Sequence, residues 1–152
     1  MNTRFDMKET EPEAYHAMLG LEKYLSKTGI SATHKNLIKI RASQLNGCAY
    51  CIDMHMHEAL EAAESQNRLF LITAWREVDT FSEEEKIVLA LAEEVTLIGN
   101  RLSETTYEKS VGFFGEKYTA QLIMAAITIN AWNRIGVALE MKPVSYEVEA
   151  RL

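Results

Sequence analysis

Apolar residues recur at steps of three and four along almost the whole chain, and no stretch alternates apolar with polar residues. The first spacing is the period of a helix and the second that of a half-buried strand. The expected fold is therefore all-α, a compact bundle of about six to eight helices. Tyr15, Met18, Leu19, Glu22 and Leu25 mark a helix over 11–26, with Gly29 beyond it. Leu37, Ile40, Arg41 and Gln44 mark a second over 33–45, and Asn46-Gly47 is a stop signal after it. A third covers about 48–63 and a short one about 68–75. Ser82 with Glu85 three residues on is a capping box that opens a helix to 97. Ser103 starts one to about 113, Gly115 breaks the chain, and a last long helix covers 119–139. Pro143 is expected to end regular structure and leave a tail.

Two of these helices, around Ile87 to Ala92 and Leu122 to Ile127, are apolar over more than one stripe. A helix apolar all round is buried on all sides. In a chain of 152 residues, some of that burial is expected from a second copy, a homo-oligomer joined through apolar helices. The length suits one domain over 1–152 with a core at roughly 10–140. Net charge is −6, which gives no electrostatic case for nucleic acid or an anionic membrane. The start, MNTRFDMKET, lacks the apolar core of a signal peptide, and the apolar stretch from Leu122 to Trp132 is about half a membrane span. The expected location is the cytoplasm. In that reducing compartment a lone C-x-x-C pair is more often catalytic or metal-binding than a structural staple.

The chain has two cysteines, Cys48 and Cys51, in the run Asn46-Gly47-Cys48-Ala49-Tyr50-Cys51-Ile52-Asp53-Met54-His55. On a helix each residue advances by about 100°. With Cys48 at the origin, Cys51 falls at about 300° and His55 at about 340°, so all three share one face. Residues three apart on a helix are close enough for a disulfide. Two thiols beside a base are the minimum equipment of a dithiol redox enzyme. Cys48 stands at a helix start, where free N–H groups favour thiolate, so the dipole alone makes it the more reactive thiol. His55 lies one turn beyond Cys51, within reach of its proton. Glu58, three residues further, could orient the imidazole, whereas His57 points to the opposite face.

The stretch from Leu37 to His55 resembles the core of the AhpD-like alkylhydroperoxidases of the carboxymuconolactone decarboxylase superfamily. The similarity continues at Ala74-Trp75-Arg76, at Phe81-Ser82-Glu83-Glu84-Glu85, and at Ile129-Asn130-Ala131-Trp132-Asn133-Arg134. It implies an all-helical fold that assembles into trimers or hexamers. It implies peroxidase or disulfide-reductase chemistry on a small hydroperoxide, with an external dithiol or protein reductant. No cofactor or metal is implied beyond the redox-active Cys48–Cys51 disulfide. By position, Cys51 resembles the residue that attacks peroxide, Cys48 its disulfide partner, and His55 the relay histidine. The dipole argument prefers Cys48 as the reactive thiolate, but contact with His55 favours Cys51 for attack on peroxide and leaves Cys48 for attack by an external reductant. The sequence departs from the family pattern twice. A relay glutamate twelve residues before the first cysteine is replaced by Asn36, and a histidine before the second cysteine by Tyr50. With Asn36 unable to take a proton, Glu58 or water must complete the relay.

Two other readings stay open on the residues alone. One is a redox or zinc-binding sensor without turnover. Zinc favours four ligands, so Cys48, Cys51 and His55 would need a fourth from His16, His34 or a neighbouring subunit. The other is a decarboxylase-like lyase that does not use the cysteines. Haem attachment is excluded because Ile52, not histidine, follows Cys51. Ser43 and Gln44 are expected behind the site or in packing, and Asn130, Asn133 and Arg134 in a buried hydrogen-bond network. Trp75 and Trp132 are expected in the core or an interface, and Glu93 and Glu94 on a solvated face.

Overall fold

A computed structural model describes residues 3–143. Those residues form helices α1 (Met7–Thr10), α2 (Pro12–Leu25), α3 (Ala32–Asn46), α4 (Ala49–Glu61), α5 (Gln66–Leu71), α6 (Glu83–Thr96) and α7 (Glu104–Ala138). Two tighter 3₁₀ turns, Ile72–Glu77 and Ile98–Asn100, complete the order, and no strand occurs among the described residues. The all-α expectation holds. No helix among them is long and apolar enough to cross a membrane.

The helix starts follow local chemistry. Ser31 accepts from the His34 N–H at 3.1 Å and Ser103 from the Thr106 N–H at 3.2 Å. At α6 the capping box is complete, with Ser82 Oγ accepting from the Glu85 N–H and Glu85 Oε2 from the Ser82 N–H. Such a cap contributes about 1 kcal/mol. Gly47 ends α3 at φ 65° and Gly115 breaks α7 at φ 77°, both in the left-handed region that favours glycine.

Helices α3 and α6 each feed two faces of the core. Ile38 and Ala42 join Val88, Leu91 and Ala92 against Leu122, Ala126 and Ile129 of α7. Leu37 and Ile40 join Leu89 against Ala59, Leu69, Ile72 and Trp75. Each fully buried Leu or Ile contributes about 1.5–3 kcal/mol. This double duty explains the all-round apolar stretch of α6, most of which is covered within one chain. On α7, Ile127 stays 45% exposed.

Three sequence expectations need correction. The helix expected over 68–75 is α5 followed by a tighter turn, with Ala74 outside helical geometry. Regular structure ends at Ala138, before Pro143, because Glu140 takes φ 55° and Arg4 caps the last carbonyls; the tail beyond 143 lies outside the described residues. Glu93 and Glu94 are not a solvated face. Glu93 is buried and takes bonds from Arg41 Nε (2.7 Å), Trp75 Nε1 (2.9 Å) and Arg76 Nη1 (2.6 Å). Burial pushes its carboxyl up, but these three donors outweigh burial and hold it below the usual carboxylate range. Glu94 accepts from the Ser103 N–H and from Thr106 Oγ1, tying α6 to the start of α7.

Candidate functional site

The link from α3 to α4 is two residues long. Gly47 turns the chain and Cys48 at once becomes the N-cap of α4, its Sγ accepting from the Cys51 N–H at 3.4 Å. The two cysteines are joined in a disulfide with Cα atoms 5.3 Å apart, as the i, i+3 spacing requires. Both are buried, at 2% exposure each.

A cavity of about 460 Å³ opens beside them. From α4 its wall takes Tyr50, Cys51, Met54, His55 and Glu58; from α2, Tyr15 and Glu22; from α3, Lys39; from α7, Trp132 and Ile135. Near the N-terminus, Thr3 and residues 5–8 also line it. Cys48 is not in this wall. Its sulfur lies against α7, where a Cβ on Gly136 would come within 2.9 Å of Cys48 Sγ and 3.4 Å of Cys51 Sγ. Both sulfurs thus lie against α7, Cys48 Sγ the more closely, and of the two cysteines Cys51 is the one in the cavity wall.

His55 is 3% exposed and its Nδ1 lies 2.7 Å from Glu58 Oε2. The His55 hydrogen bond holds the Glu58 carboxyl below its ordinary range, more than offsetting burial; the charges of His55 and Lys39 act the same way. An ionised carboxylate only accepts, so Nδ1 carries the hydrogen of this bond and Nε2 is the ring nitrogen left outside it. Lys39 Nζ sits 4.0 Å from Glu58 and 3.9 Å from Glu22, which also accepts from Trp132 Nε1 at 3.0 Å. A charged line thus runs from the imidazole to the α2–α7 seam.

Behind the cysteines lies the expected polar network. Asn46 Nδ2 bridges Asn130 and Asn133, Asn133 donates to Ser43 Oγ at 2.9 Å, and Ser43 donates to the Lys39 carbonyl. Arg134 donates to Asn130. Ser43 thus sits in the backing of the site. Asn36 is half-buried on α3 and is not in the cavity wall; Lys39, one turn on, is. Among the described residues no three His, Cys, Asp or Glu side chains are placed to hold a metal ion.

Sequence reasoning missed Gly136, Lys39, Glu22 and the N-terminal wall. The first had a signal, a glycine inside a strong helix, which costs about 1 kcal/mol against alanine unless space demands it. So did Glu22, a carboxylate in phase with an apolar stripe. Gly136→Ala should lower the thermal midpoint of the oxidised protein, because overpacking costs about 1–3 kcal/mol, more than alanine's helix advantage. Gly112→Ala, whose new methyl meets nothing within 4 Å, should hold or raise the midpoint. Equal midpoints for both variants would show that the sulfurs do not need the space.

The sequence over residues 12–94 matches the model of the carboxymuconolactone decarboxylase family. The chain belongs to this family, and within its superfamily it is an AhpD-like member. It is 38% identical over 146 residues to the uncharacterized protein YdfG of Bacillus subtilis, covering 95% of this chain and 99% of that one. A crystal structure of a protein of unknown function from Agrobacterium tumefaciens, described as a candidate antioxidant defence protein AhpD, superposes with a TM-score of 0.90 at 32% identity. That match covers 93% of this chain and 98% of the other. The debrominase Bmp8 shares the fold, with a TM-score of 0.80 at 20% identity over 89% of this chain and 73% of its own.

Proposed function

We propose that the protein is a dithiol hydroperoxide reductase working in the cytoplasm. The carrying observation is that Cys51 and His55, one turn apart on α4, open into one largely apolar cavity while Glu58 fixes the imidazole. In the reduced protein, Nε2 of His55 takes the Cys51 proton. The Cys51 thiolate attacks the terminal peroxide oxygen, the O–O bond breaks, and the departing alkoxide takes a proton and leaves as an alcohol. Cys51 is left as a sulfenic acid. Cys48, its thiolate favoured at the N-cap of α4, attacks the Cys51 sulfur. Water departs and the disulfide closes. An external dithiol then returns two electrons and two protons.

The cavity supports an organic hydroperoxide as substrate, since its volume is that of pockets for mid-sized ligands. Glu58 takes the place of the relay carboxylate that Asn36 cannot supply. Self-assembly into a trimer or hexamer belongs to the same reading. The test titrates thiols before and after one equivalent of an organic hydroperoxide. Both cysteines should be lost together, with a mass decrease of about two hydrogens, and dithiothreitol should restore them over many cycles of peroxide consumption. Thiols that survive the peroxide would sink the reading. Thiols that oxidise once without sustained turnover would favour a sensor.

A further inference from the structure

The first described residues do not pack like the rest of the chain. Helix α1 buries no residue. What ties this segment to the body at its start is Arg4. Its N–H donates to the Leu139 carbonyl at 3.0 Å, its Nη1 to the Ala138 carbonyl at 3.0 Å, and its Nη2 pairs with Glu140 at 2.7 Å. These are the free carbonyls at the end of α7, where a cation is also favoured by the helix dipole. The Arg4–Glu140 pair is solvent-exposed, and pairs of that kind are weak. Immediately after the latch, Phe5 and Met7 form part of the wall of the cavity that Cys51 faces.

We propose that this segment is a gate over Cys51, latched by Arg4 to the end of α7, which a protein dithiol must displace to reduce the disulfide. The proposal deepens the reductase reading by naming how its electron donor enters. The position of the two sulfurs sets the course of the exchange. Cys51 lines the cavity and Cys48 does not, while Gly136 backs both sulfurs, so the approach through the cavity meets Cys51. The donor's thiolate attacks Cys51 Sγ, the Cys48–Cys51 bond breaks, and its electron pair goes to Cys48. Cys48 is the better leaving group because the N-cap position favours its thiolate. The donor's second thiol then attacks the donor sulfur of the mixed disulfide. Cys51 is released as a thiolate, and the donor departs as a disulfide carrying the oxidation. The residues read from the sequence put the reductant on Cys48; the gate puts it on Cys51.

The test needs no peroxide, so it stands or falls apart from the peroxidase reading. Oxidised wild type, Arg4→Ala and Glu140→Ala are reduced by dithiothreitol and by a thioredoxin-type protein dithiol, with free thiols followed in time. Both variants should accelerate reduction by the protein dithiol, Arg4→Ala by about tenfold given the bonds it loses, and leave the dithiothreitol rate within about twofold. Thermal midpoints for both variants should stay near wild type, since the latch lies at the periphery. Unchanged rates with both reductants would overturn the gate, as would equal acceleration of both, which signals general loosening. A donor with its second cysteine replaced by serine, acid-quenched within the first turnover, should be trapped on Cys51. Trapping on Cys48 overturns the assigned course of attack.

Discussion

Dithiol-dependent peroxide consumption should fall to the uncatalysed background in Cys51→Ser and by about 10²–10⁴-fold in His55→Ala. A serine hydroxyl in place of the Cys51 thiol offers no thiolate, and Cys48 is not in the cavity wall. Loss of the imidazole removes the acceptor that makes the thiolate without removing the sulfur. The fold should survive His55→Ala well enough for rates to be compared. The fall should be largest below the pH at which the thiol ionises unaided, and excess alkaline buffer should recover part of it. Stopped-flow peroxide consumption across a pH series separates these outcomes. A His55→Ala rate equal to wild type at neutral pH would remove His55 from the relay. A Cys51→Ser protein that still turns over would move the chemistry elsewhere.

Glu93→Ala should cost about 3–5 kcal/mol of stability, the range for removing one partner of a buried ion pair, and lower the thermal midpoint by about 6–20 °C at this chain length. Arg41, little exposed, would lose its carboxylate, and the Trp75 indole N–H its acceptor. Arg76, stacked 4.0 Å over the Trp75 ring, would lose its partner but can turn to water. The sign with pH follows from the carboxyl's position below its ordinary value of 4.5. The unfolded chain then binds more protons than the folded one as acid is added. The contribution of Glu93 is fully present above that value and drains as pH falls through it and below. Glu93→Ala should therefore flatten the acid limb of a stability–pH curve. A midpoint within about 2 °C of wild type would show that the cluster is ornamental.

Much of the fold could be read from local chemistry. The stripe of α2, the stop at Asn46-Gly47, the capping box at Ser82 and the break at Gly115 are each settled by residues within a turn or two. Cys48, Cys51, His55 and Glu58 were legible for the same reason, since one helix carries all four. What failed was long-range. Glu93 beside Glu94 looks like solvated surface until Arg41, 52 residues away, and Trp75 are folded onto it. Lys39 and Glu22 join the site because α2, α3 and α7 meet at it, which no periodicity announces. Arg4 reads as a stray charge near the start of the chain, and its partners lie more than 130 positions off. Asn36 drew attention through family resemblance, yet the wall of the cavity takes Lys39 from the next turn of α3.

The backing of the cysteines by Gly136 separates, in time, the making of the bond from the making of its surroundings. Cys48 and Cys51 are one helical turn apart, so their pairing requires only that α4 begin to wind. The shelter over them waits for α7, which leaves the ribosome some 85 residues later; at about 5–20 residues per second that is several seconds of synthesis. During that interval the sulfurs can meet each other without any of the walls that later decide who else may meet them. With two cysteines in the whole sequence, early oxidation within the chain has a single outcome, the native pair. Selectivity, unlike connectivity, is a property the polypeptide acquires last.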